Sequence, residues 1–128
     1  MGIRVTWGNA ERTFINFNFE GDWTWDELER ATDQATGMLD SIDYTVDFIM
    51  DIRHANQVPK DLMSHAERIA SGHHPRRGIM VVVGANRLLR TVGRGLRKLF
   101  PEATRNVLFA ADLEEAHELI VERQMSRP

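Results

Sequence analysis

Between Gly78 and Gly84 the chain runs Ile79-Met80-Val81-Val82-Val83 with no polar side chain. A short run rich in β-branched residues, closed by glycine at both ends, predicts a strand covered on both faces. Such a strand needs helices on two sides of a sheet, so the rest of the sequence has to supply βα units.

It does. Val46 to Ile52 is apolar apart from Asp47 and Asp51 and reads as a second central strand. Val107-Leu108-Phe109-Ala110 makes a short last strand. Near the start, Ile3, Val5 and Trp7 alternate with polar residues. Gly8-Asn9 supplies turn chemistry. Ile15, Phe17 and Phe19 then face one way, and Phe14, Asn16 and Asn18 the other. These two runs predict an antiparallel hairpin.

Four helices are expected. Thr24 and Glu27 form a capping box ahead of Leu28, Ala31, Ala35, Met38, Leu39 and Ile42 at helical spacing. Val58-Pro59 opens a second helix, since proline suits the first turn. Leu62, Ala66, Ile69 and Ala70 form its inner face and Ser71-Gly72 its stop. Asn86 caps a third, with Leu88, Leu89, Val92, Leu96 and Leu99 inward. Gly93 and Gly95 weaken that helix but allow close packing on the sheet. Phe100-Pro101 ends it. Asp112 and Glu115 start a fourth through Leu113, Ala116, Leu119 and Ile120. The tail from Gln124 is expected to fray. The predicted order is ββαβαβαβα, an α/β fold with a mixed, mostly parallel five-stranded sheet. Its 128 residues fit one domain, 1–128.

Composition narrows the function classes. With no cysteine, disulfides and thiol nucleophiles are excluded, and a cytoplasmic home is the simpler expectation. Met1 to Trp7 does not fit a signal peptide. No stretch approaches the roughly 20 apolar residues of a membrane helix, so no membrane insertion is expected. The net charge of −3 conceals a segregation. Residues 1–52 hold 11 acids against 3 bases, residues 53–111 hold 3 against 11, and residues 112–128 hold 5 against 2. Segregated charge can steer a charged partner or pair a chain with its own copy; it also arises when separate helices have separately solvated faces.

Order, size and local motifs resemble the STAS family, the anti-sigma-factor-antagonist-like domains, in its bacterial branch without the phosphoserine motif. The resemblance is carried by the hairpin with Gly21-Asp22-Trp23-Thr24-Trp25-Asp26-Glu27-Leu28, by Val46-Asp47-Phe48-Ile49-Met50-Asp51-Ile52-Arg53, by Ile79 to Gly84, and by Asp112-Leu113-Glu114-Glu115-Ala116. It implies regulatory protein–protein interaction without catalysis. Phospho-switched members have a serine just after the third strand. Here that region reads Asp51-Ile52-Arg53-His54-Ala55-Asn56-Gln57-Val58-Pro59, without serine or threonine, so no phosphoserine switch is expected. Ligand sensing stays open by analogy with related folds.

In open α/β sheets, ligands favour the crevice beyond the carboxyl ends of the strands. That edge is expected to present Asp51, Arg53, His54 and Asn56 after the third strand, Gly84 and Asn86 after the fourth, and Asp112 after the fifth. Asp51, Arg53 and His54 together can be read as an anion site or an acid–base pair, but no nucleophile or third orienting group accompanies them, so a loop ion pair with helix caps is the preferred expectation and no catalytic residue is assigned. His73-His74-Pro75 lacks the spacing of a metal site, and no metal or cofactor is expected. No phosphate-loop motif occurs. The third helix carries Arg87, Arg90, Arg94, Arg97 and Lys98 at steps of three and four, a stripe suited to an acidic protein surface or to the acidic first helix of a second copy. A pI near 5.9 and no aromatic residues in the stripe argue against nucleic acid. A protein partner predicts a flat charged surface; a sensor of a small apolar or anionic ligand predicts a cavity of roughly 300 Å³ or more.

Overall fold

The computed structural model describes residues 2–62, 64–65 and 74–127. In chain order these form β1 (Ile3–Trp7), β2 (Phe14–Gly21), α1 (Trp25–Leu39), β3 (Val46–Ala55), β4 (Arg77–Val83), α2 (Arg87–Leu99), β5 (Val107–Ala110) and α3 (Leu113–Ser126). The strands make one sheet in the order β1-β2-β3-β4-β5. β1 is antiparallel to β2, and each later neighbour is parallel to the one before. The fold is thus α/β with the mixed, mostly parallel five-stranded sheet that the sequence predicts.

Alternation within the strands sorts side chains to two faces. On one, Ile15, Phe17 and Phe19 of β2 and Val46, Phe48 and Met50 of β3 pack against Leu28, Ala31, Ala35 and Leu39 of α1. On the other, Ile49, Ile79, Val81, Val83 and Ala110 pack against Ala116 and Ile120 of α3. β4 therefore serves both cores, as its unbroken apolar run requires. α2 lies on the α1 side, over β5. A Cβ at Gly93 would come within 2.7 Å of the Phe109 ring, so glycine there sets how closely the helix approaches the strand. The caps act as predicted: Thr24 Oγ1 accepts from Glu27 N at 3.1 Å, Asn86 Oδ1 from Leu89 N at 2.8 Å, and Asp112 Oδ1 from Glu115 N at 2.8 Å.

Four expectations need correction. Three helices lie wholly within the described residues, where four are expected. Val58-Pro59 does not open a helix: residues 56–61 are loop, Asp61 has a φ of 67°, and helical backbone begins at Leu62. The indole N–H of Trp25 donates to Lys60 O at 2.6 Å and holds that loop against α1. Ala66, Ile69 and Ala70, the Ser71-Gly72 stop and His73 lie outside the described residues. Second, β3 runs three residues beyond its predicted end, so Arg53 and His54 are strand residues, with His54 opposite Glu20. Third, Leu88 and Leu99 do not point inward; they are 73% and 64% exposed, and only Leu96 of α2 is buried.

The fourth correction concerns the tail, which is anchored instead of frayed. Asp47 in β3 has no exposed surface. Its carboxylate accepts from Ile79 N at 2.9 Å, from Gln124 Nε2 at 3.2 Å, and from both terminal nitrogens of Arg127, Nη1 at 3.1 Å. A charge buried this deeply requires a partner and hydrogen bonds to be tolerated, and the end of α3 delivers both. Gly78 passes so close that a Cβ would meet both the Asp47 carboxylate and the Arg127 guanidinium.

Candidate functional site: an apolar cleft between two helices

Among the described residues α1 and α2 share one face of the sheet. α1 covers the β1–β3 side and α2 stands over β5, so Met50 and Ile52 of β3 and Met80 and Val82 of β4 face the gap between them. Past Ala55 the chain folds back: Asn56 N donates to Gly21 O, and Asn56 Nδ2 to Asp22 Oδ1, each at 2.9 Å. Residues 56–62 thereby become an end wall. Among the described residues these parts enclose a cleft of about 760 Å³. Its walls are mainly apolar, with Leu28, Ile52, Val82, Val92 and Phe109 among them.

Aromatic rings form the α1 wall. Phe19 meets Trp23 edge-to-face at 5.0 Å, Trp23 meets Trp25 at 5.1 Å, and Trp25 stacks on the His65 ring at 4.5 Å. Trp23 is 8% exposed, and its indole N–H is buried with no acceptor among the described residues. An unmatched buried donor is uncommon and destabilising.

The residues singled out from sequence divide. Arg53, Asn56, Asn86 and Arg97 reach the cleft lining. Asp51, on the α3 side of β3, spends both oxygens on Arg53: Oδ1 accepts from the Arg53 backbone N at 3.1 Å and Nε at 2.9 Å, and Oδ2 from Nη2 at 2.8 Å. These bonds belong to Arg53, and the acid–base pairing with His54 finds no hydrogen bond in support among the described residues. The basic stripe is two rows. Arg90 and Arg97 turn toward β5; Arg90 Nε donates to Ala85 O at 3.2 Å with its guanidinium 5.7 Å from the Phe109 ring centre, and Arg97 donates to Val107 O. Arg87, Arg94 and Lys98 face solvent. His74 Nε2 lies 2.8 Å from Asp40 Oδ1. Among the described residues no three histidine or carboxylate side chains converge to hold a metal ion. A hollow of about 870 Å³ along α3 is lined by that helix alone and has no second wall.

Hydrogen bonding from the Arg53 side chain holds the Asp51 carboxyl below its ordinary value of 3.8, against an opposing push from burial. A carboxyl with a lowered folded-state pKa contributes stability that is complete above its unfolded pKa and is lost as pH falls through the folded one. Arg53→Met is therefore expected to destabilise the fold at pH 7. The gap between wild type and variant is expected to narrow below about pH 4, as read by urea unfolding across pH.

The sequence leaves a ligand cavity open as an alternative but does not locate it, because the parts of the cleft are far apart in the chain. Trp7, Trp23 and Trp25 cluster early in the sequence, where Trp25 can be read as a staple of the first helix or as the lining of an apolar pocket, with core or staple preferred. No protein-family model and no curated protein matches this chain. No helix among the described residues is long and apolar enough to cross a membrane.

Proposed function

We propose that this chain is a non-enzymatic binding module whose cleft takes a small, mainly apolar ligand. The observation that carries the reading is the cleft itself: about 760 Å³, apolar and aromatic in its walls, with a few polar groups at its edge. Small-molecule sites occupy roughly 300–1,000 Å³ and have this make-up. Asn56 and Asn86, uncharged and at the edge of the lining, suit a ligand with a polar end. The resemblance to STAS-like domains supports a regulatory role for such binding. A second reading, a protein partner with an acidic surface, is favoured by Leu88 and Leu99, large apolar side chains left in solvent on a cationic helix.

The test is titration with anilinonaphthalene sulfonate, an apolar anionic dye, followed by displacement with decanoate. Saturable one-to-one binding is expected, with thermal stabilisation that reaches about 2.7 kcal/mol at a hundredfold excess over Kd. Val92→Trp, which fills the cleft from α2, should abolish binding and leave the folded circular dichroism spectrum intact. No saturable binding by wild type, or equal binding by Val92→Trp, rules the cleft out.

A further inference from the structure

α2 is built against its own stability. The first turns of α1 and α3 carry acids, Asp26 and Glu27 and then Glu114 and Glu115, as the helix dipole favours. The first turn of α2 carries none and begins with Arg87. The helix holds five cations and no acid. Like charges at these spacings repel, and among the described residues Arg87, Arg94 and Lys98 form no ion pair. Such an exposed row is suited to an external anion.

The same chain presents one. Its buried residues Leu28, Ala31, Ala35 and Leu39 turn the opposite face of α1 outward, and that face carries Asp26 and Asp33, with one base, Arg30, between them. Asp26 and Asp33 are exposed and form no ion pair among the described residues. Seven residues separate Asp26 from Asp33, and seven separate Arg87 from Arg94. In both helices that is about 10.5 Å along the axis. α1 joins parallel β2 to β3, and α2 joins parallel β4 to β5, so both helices start at the carboxyl edge of the sheet and run the same way. A two-fold axis along the helices lays α1 of one copy on α2 of another, and α2 on α1, with Asp26 beside Arg87 and Asp33 beside Arg94 at both contacts. Gly37, on the same outward face of α1 as Asp26 and Asp33, adds no bulk there. We infer that the chain pairs with a second copy through reciprocal α1–α2 contacts. The interface closes on itself, as most oligomers do, and the inference does not depend on what the cleft takes.

Sedimentation equilibrium of the full chain tests this with Arg87→Glu/Arg94→Glu, with Asp26→Lys/Asp33→Lys, and with an equimolar mixture of the two. Wild type should dimerise at about 50 mM salt and weaken at about 500 mM. Symmetry makes each double variant lose four pairs, so each should self-associate at least about a hundredfold more weakly, like-charge juxtaposition being strongly disfavoured. In the mixture one contact is native and the other is charge-swapped, so a heterodimer should return. A monomer at all concentrations overturns the inference. So does a dimer that survives Arg87→Glu/Arg94→Glu. A monomer that instead binds anionic lipid vesicles through these arginines assigns the row to a membrane surface and overturns it as well.

Discussion

Alanine at position 127 is expected to lower the unfolding free energy by about 3–5 kcal/mol, the usual loss when one member of a buried ion pair is removed. That is a large part of the roughly 5–15 kcal/mol by which a domain is stable. Asp47 would keep Ile79 N and Gln124 Nε2 as donors but lose the Arg127 guanidinium, at a site with no exposed surface. Adding Asp47→Asn should recover most of the loss, because the amide oxygen still accepts from Ile79 N and no naked charge is left. Urea unfolding of the two variants measures both effects. A loss under about 1 kcal/mol for Arg127→Ala, the range of an exposed pair, would show that the tail does not hold the carboxylate.

Phe17→Ala should be comparably severe, at about 3–5 kcal/mol, for a different reason. Phe17 is 1% exposed at the centre of the α1-side core, with its ring 5.3 Å from that of Phe48. Truncation removes apolar burial and leaves a cavity between two strands and a helix that cannot collapse into it. Phe14, three residues earlier, points to the other face and is half-buried. Phe14→Ala should cost clearly less in the same assay. Equal losses would mean that the two faces of β2 are not assigned as described.

The contrast between Phe17 and Phe14 is legible in the amino-acid sequence, because period-two alternation is a local signal. So are the three caps at Thr24, Asn86 and Asp112, each a short side chain that meets a backbone N–H three residues on. What stays hidden is set by distant residues. Nothing near Asp47 announces that its counter-charge is Arg127. Without that pairing the segment from Gln124, rich in polar groups, reads as a loose end. The α2 leucines mislead for a related reason. Their spacing makes an apolar stripe, but a stripe is buried only if the sheet extends beneath all of it, and β5 has just four residues. Asp51, Arg53 and His54 do lie at the edge of the sheet that the sequence indicates, where the first two form a bidentate ion pair. The cleft depends on the separation of α1 and α2, a tertiary quantity without a sequence signature.

The Asp47–Arg127 contact also has a meaning in time. The partners are 80 residues apart in the chain. During synthesis at about 5–20 residues per second, the β3 carboxylate is made roughly 4–16 s before its cation. In that interval β1, β2, α1 and β3 can gather with Asp47 still lacking its counter-charge. The order of synthesis thus sets the order in which Asp47 gains its partners: Ile79 N first, then Gln124 and Arg127.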